Sequence, residues 1–228
     1  MATKSALLGS SLTKKYWMAL TGLFLSVFLI VHLAGNLVLL GGKEMAENFN
    51  AYAEFMTTFP IIKITSYLLY FSILFHAFDG ILLTIQNRKA RPVKYHYEKP
   101  SANSNWASRN MAFLGTIMLF FIVGHMATFW WRMKFGELPL DAAGRKDLYT
   151  VVEVYFTTAS TALLHVLIYV VAMIAIAFHL LHGFQSSFQT LGVNHPKYTP
   201  LIKKIGVGFA VVIPALFAII PVYMYLNQ

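Results

Sequence analysis

The chain has 228 residues, of which 57% are apolar and 12% charged, and it carries a net charge of +9 at neutral pH. A soluble globular domain has roughly 25% charged residues, so this composition excludes one and points to a membrane protein. The sequence holds no cysteine, which excludes disulfides, cysteinyl iron–sulfur clusters and covalent C-x-x-C-H haem attachment.

Apolar blocks longer than about 18 residues can cross a hydrocarbon core of roughly 30 Å as helices, because lipid leaves no water for open backbone groups. The first predicted helix covers residues 17–40; it lacks a small-residue cleavage site and runs on into a full span, so it is read as its own insertion signal. The second covers 61–87 and is opened by Pro60, whose missing N–H costs little in a first turn. A polar, turn-rich connector follows from Lys89 to Ser108, with Pro92, Pro100 and Asn-Ser-Asn. The third helix is expected at 109–132, a short surface helix within Lys134–Tyr149, the fourth helix at 160–187 and the fifth at 205–226, bent at Pro214 and Pro221. The predicted fold is an all-α membrane protein of five transmembrane helices, one domain over residues 1–228, with four of the helices forming a bundle.

The basic residues separate by loop. Lys4, Lys14, Lys15, Arg88, Lys89, Arg91, Lys94, Lys99, Arg109, Lys197, Lys203 and Lys204 lie on one side, 12 of the 18, with Glu98 as the one loop acid. The opposite loops carry the remaining six with seven acids, among them Glu44, Glu47 and Glu54. The positive-inside rule then predicts a cytoplasmic amino terminus and an outer carboxyl terminus in the cytoplasmic membrane. This distribution answers to topology and lipid headgroups, and no nucleic-acid partner is expected. Tyr16, Trp17, Trp130 and Trp131 fit interfacial belts.

Histidine within a span is a functional-site hypothesis by default, and four predicted spans contain one or more: His32, His76, His125 and, on the fourth, His165, His179 and His182. From the helical rise, His32 and His125 lie about 22 and 24 Å from the cytoplasmic face, whereas His76, on a helix running the other way, lies about 22 Å from the outer face. Two levels roughly 14 Å apart follow: His32 with His125 in the outer half, and His76 with His179 in the inner half. Neutral imidazole brings a nitrogen donor into lipid without charge, and a b-type haem takes two such axial ligands from opposite sides. His76 and His179 are each followed four residues on by glycine, Gly80 and Gly183, where a missing side chain lets a flat macrocycle lie against the backbone. His182 and His165 stay open as alternative ligands. Asp79 and His182 are candidates for proton exchange near the cytoplasmic side, and Glu54 is a candidate on the outer side. His96 and His195 fall in loops.

The segments GLFLSVFLIVHLAGN, LFHAFDG, GTIMLFFIVGHMATFWW and AFHLLHGFQSSFQTLG together resemble the cytochrome b subunit of succinate:quinone oxidoreductases, the single-chain, five-helix, di-haem type found in succinate dehydrogenases and fumarate reductases. The resemblance covers essentially the whole chain. It implies a distal haem b on His32 and His125, a proximal haem b on His76 and His179, and quinone, menaquinone in particular, as the redox partner in the membrane. It also implies a flavoprotein subunit that carries the succinate or fumarate chemistry and an iron–sulfur subunit that docks on the basic face. No residue of this chain is assigned to catalysis on succinate. Two other readings stand beside it: the di-haem cytochrome b of another quinone-linked dehydrogenase or hydrogenase, and a non-haem transporter whose histidines relay protons.

Overall fold

The computed structural model describes residues 11–90 and 99–227. In chain order its helices are α1 (Ser11–Asn36), α2 (Ala46–Thr58), α3 (Pro60–Lys89), α4 (Pro100–Asn103), α5 (Trp106–Arg109), α6 (Met111–His125), α7 (Trp131–Phe135), α8 (Leu148–Phe156), α9 (Ala162–Thr190) and α10 (Thr199–Leu226). Five stretches are long and apolar enough to cross a membrane: α1 with its continuation, α3, α6 continued into α7, α9 and α10. The protein is therefore an all-α, multi-pass membrane protein. Among the described residues no strand occurs, and one isolated antiparallel bridge joins Leu140 to Lys146.

The helix ends follow local chemistry. Asn36 turns its amide back onto the His32 carbonyl at 2.8 Å, the kind of side-chain competition that disfavours a continuing α-helix. Beyond it the chain tightens into a 3₁₀ segment, Leu37–Met45, broken at Gly42, whose φ of 64° suits a residue without Cβ. At the far end of α9, Gly192 takes a φ of 78°, and the Val193 N–H reaches the Phe188 carbonyl as in a left-handed helix stop. Immediately after His125 the third span widens into a π turn, Met126–Trp130, before α7.

Several expected boundaries move. The first span's α-helix ends at Asn36, not residue 40, and the loop expected before the second span is largely helical, as α2. The surface helix expected within 134–149 lies at Leu148–Phe156 instead, because Asp147 is its cap: Asp147 Oδ1 accepts from Thr150 N at 3.1 Å and Oδ2 from the Thr150 hydroxyl at 2.6 Å. α10 starts at Thr199, ahead of residue 205, with Pro200 in its first turn, and continues as one helix through Pro214 and Pro221. The connector contains the short helices α4 and α5; Arg91, Pro92, Lys94, His96 and Glu98 lie outside the described residues, as does Lys4.

α9 is the central helix and packs on α1, α6 and α10. At one end of the bundle, α2 and α8 fold across the spans as a cap, burying Leu33, Leu39, Phe49, Tyr149, Val152, Phe156, Val166, Ile220 and Met224 in one cluster. Asn50, 1% exposed, ties the two cap helices: its amide donates to Asp147 Oδ1 at 2.9 Å and its carbonyl accepts from Tyr149 N at 2.9 Å. Arg145 clamps the rim, reaching Asp141 at 2.9 Å and Glu47 at 3.1 Å. Lys14, Lys15, Arg88, Lys89, Lys99, Arg109, Lys197, Lys203 and Lys204 gather at the opposite end, called here the basic end.

Candidate functional site: two histidine pairs

Toward the cap, His32 of α1 and His125 at the end of α6 face each other with ring centroids 5.8 Å apart and planes at 85°. Aromatic rings wrap them: Phe28 stacks on His32 at 5.1 Å and Phe217 lies 5.5 Å from it, while Phe121 and Phe129 flank His125 at 5.7 and 5.4 Å. The Nδ1 atom of each ring meets a polar group. His32 Nδ1 lies 3.3 Å from the Asn36 amide, and His125 Nδ1 lies 2.9 Å from the Tyr169 hydroxyl.

Toward the basic end, His76 of α3 and His179 of α9 have centroids 6.1 Å apart and planes at 62°. His76 Nδ1 is 3.2 Å from Thr21 Oγ1. The Thr21 hydroxyl has one proton and directs it at the Trp17 carbonyl, 2.7 Å away, so toward His76 it accepts and Nδ1 carries the proton. The remaining His76 nitrogen, Nε2, is then the lone-pair side. His179 Nδ1 is buried without a hydrogen-bond partner, an unusual state for a polar atom in an apolar interior.

The two pairs occupy separate levels. His76 packs at Gly22 on α1, ten residues before His32, and Tyr169 precedes His179 by ten residues on α9. Each interval corresponds to about 15 Å of helix.

The spacing within each pair can be tested against what could lie between the rings. Two metal–imidazole bonds of about 2 Å end to end, with ring centres roughly 1 Å behind the donor nitrogens, put the centroids about 6 Å apart. Both pairs match that figure. Among the described residues, no group of three or more His, Cys, Asp or Glu side chains comes together, so either pair offers two donors and suits a metal that arrives with its other ligands in a macrocycle. Beside the paired histidines the backbone is open: a Cβ on Gly183 would meet only the His179 ring at 3.9 Å, one on Gly80 only Met18 at 3.7 Å, and one on Gly124 nothing within 4 Å. The residues present fit haem.

Comparison with protein-family models, curated proteins and solved structures found no match.

The other predicted site residues fall into three groups. Asp79, one turn beyond His76, is 4% exposed with Oδ2 unpartnered, which is a poised buried carboxyl rather than a solvated one. His182 lies half-buried one turn from His179, and it is the His179 ring, not that of His182, that faces His76. His165 is drawn away from both pairs: it stacks on Tyr155 at 3.7 Å, with Nδ1 2.9 Å from the Tyr155 carbonyl and Nε2 3.2 Å from the Thr161 hydroxyl. Glu54 is exposed on α2, and among the described residues no contact joins it to either pair. His195 is exposed, its Nδ1 accepting from Lys197 N at 3.2 Å.

Sequence reasoning missed the partners of the imidazoles. Asn36 carried a local signal, because it lies one turn after His32 on the same face. Thr21 and Tyr169 carried none, since each meets its histidine across a helix–helix seam that no single-chain periodicity encodes.

Proposed function

We propose that this chain is the membrane anchor and di-haem cytochrome b subunit of a succinate:quinone oxidoreductase, acting as succinate dehydrogenase or fumarate reductase. The observation that carries the reading is the pair of imidazole couples, 5.8 and 6.1 Å between centroids, on four different spans at two levels of one bundle. His32 with His125 would hold one haem b and His76 with His179 the other; bound haem supplies one-electron redox chemistry. The chain's own part is to present neutral Nε2 atoms, exclude water with aromatic walls around His32 and His125, and keep the two centres on a common axis.

Quinone exchange takes two electrons and two protons. Asp79 is the group best suited to hold a proton near the basic end, since a buried carboxyl with a free oxygen can take and release one where water is scarce. His182, half-buried on α9, is a second candidate toward the same end, and exposed Glu54 is the candidate at the cap. In this reading the quinone is menaquinone, the basic end faces the cytoplasm and receives an iron–sulfur subunit, and a flavoprotein beyond it oxidises succinate or reduces fumarate. The amino terminus is then cytoplasmic and the carboxyl terminus lies outside the cytoplasmic membrane. Placement of both His165 nitrogens against Tyr155 and Thr161 argues against a cytochrome that takes two ligands from one helix at His165 and His179.

The test is a reduced-minus-oxidised spectrum of the chain purified from its native membrane, with haem stoichiometry and identification of co-purifying subunits. A b-type band at two haems per chain, with a flavoprotein and an iron–sulfur protein alongside, is the expected result. Well-folded material without such a band would hand the molecule to the transporter reading.

A further inference from the structure

We infer that Tyr169 is the positioning residue of the cap-side pair, setting the tautomer and donor strength of His125; this rests on the di-haem reading. Tyr169 stands on α9 with its ring held at 4.9 Å by Phe121 and by Phe156, both edge-to-face, and at 6.1 Å by Tyr155. Those three rings pack around the phenol ring. Its hydroxyl meets His125 Nδ1 at 2.9 Å.

The contact has two directions. With the proton on Nε2, the Tyr169 O–H donates to Nδ1, and His125 has no lone pair to offer toward His32. With the proton on Nδ1, the imidazole N–H donates to Tyr169 Oη and Nε2 faces the space between the rings as a ligand. The hydroxyl hydrogen turns about one C–O bond, so a single side chain serves both states. Neither direction requires the ring box to move. Metal loading would therefore select the second direction, His125 Nδ1–H donating to Tyr169 Oη, with the heavy atoms left in place.

Thr21 differs on this point. Two backbone carbonyls, of Trp17 at 2.7 Å and Met18 at 3.3 Å, compete for its proton, which favours Thr21 as the acceptor from His76. An acceptor on Nδ1–H makes the imidazole a stronger donor and fixes its plane. Stronger donation favours the oxidised metal, so Tyr169 lowers the midpoint potential of the cap-side centre and of that centre alone. The plane it fixes is one of the two that stand at 85°, and the anisotropy of a ferric low-spin signal depends on that angle.

The experiment is a redox titration of the b-type absorbance, with electron paramagnetic resonance of the oxidised state, on the purified complex carrying wild-type protein, Tyr169→Phe or Tyr155→Phe. The cap-side component is identified as the one lost in His32→Ala. In Tyr169→Phe both haems are expected at the wild-type ratio, the cap-side midpoint moves upward, its ferric signal shifts, and the other component does not change. Tyr155→Phe, which removes a neighbouring hydroxyl that does not reach His125, is expected to leave both components in place. An unmoved or lowered cap-side midpoint in Tyr169→Phe, a parallel shift of both components, loss of both haems, or an equal effect from Tyr155→Phe each overturns the assignment. Absence of haem from the wild type would remove the di-haem reading as well, so the two failures are distinguishable.

Discussion

Gly22 and His76 touch so closely that a Cβ on the glycine would stand 3.2 Å from His76 Cε1 and 3.7 Å from Nδ1. Small residues at helix seams let backbones approach in membranes, and here the space saved by Gly22 on α1 is filled by the imidazole of α3. A methyl group asks the ring to give by a few tenths of an ångström. A larger side chain occupies the ring's own volume. Gly22→Ala is therefore expected to keep both haems, and Gly22→Leu to lose the one at the basic-end level while keeping the other. Haem-to-protein ratios of the two variants check this, and a full complement in Gly22→Leu would contradict the placement of His76 as a ligand.

The two levels make a second expectation. His32→Ala and His125→Ala should remove the same haem, His76→Ala and His179→Ala the other, whereas His165→Ala and His182→Ala should remove neither. The grouping follows from which rings face each other, His32 with His125 and His76 with His179. Elution as a single species establishes that each variant is folded. Equal loss of both haems from every ligand variant would leave the pairing without support.

How much of this was legible in the sequence depends on the range of the physics involved. The five spans were, because crossing lipid requires a long apolar run and nothing else in the chain mimics one. The pairing of His32 with His125 was too, since depth along a straight helix is set by a fixed rise per residue. α2 was not: its apolar residues are interleaved with Glu47, Asn48, Asn50 and Glu54, and Phe49, Asn50 and Ala53 become a buried face through packing on other elements, α8 among them. The start of α8 is not legible either, because an aspartate such as Asp147 reads equally as a loop acid or a helix cap until its contact with Thr150 is known. Thr21 and Tyr169 reach their histidines through separations of 55 and 44 residues, and no local pattern reports such contacts.

Asn50 should be the least replaceable residue of the cap. It is buried, and its amide satisfies both Asp147 Oδ1 and the N–H of Tyr149. Exchange for leucine leaves the buried Tyr149 N–H without a partner and strips Asp147 Oδ1 of one of its two donors, Thr150 N being the other, a cost of about 1–3 kcal/mol. Asn50→Leu is expected to lower the thermal unfolding midpoint in detergent and to speed hydrogen exchange in α2 and α8 while both haems stay bound. By contrast, Lys43→Ala, which breaks an exposed pair with Glu153 at 3.5 Å, should change the midpoint little. Equal effects from the two variants would mean that the cap is held by something other than this buried polar knot.

The same knot makes the cap sensitive to acid. Burial pushes the Asp147 carboxyl up, but hydrogen bonds from the Thr150 hydroxyl, the Asn50 amide and the Thr150 N–H outweigh it and hold the group below the usual carboxylate range. Burial likewise raises Asp141, and hydrogen bonds from the Arg145 backbone and guanidinium and from the Ala143 N–H bring it below that range. A folded-state value below the unfolded one means that the unfolded chain binds protons more readily. The stabilisation is then complete above the ordinary value of about 4 and is lost as pH falls through the lower folded values. Asp147→Asn should accordingly unfold at a lower temperature than wild type at neutral pH, with the gap narrowing below about pH 4 as the wild-type carboxyl itself takes up a proton. Unfolding midpoints of the two proteins across that range decide the matter, and a gap that stays constant into strong acid would show that the charge on Asp147 contributes nothing to the cap.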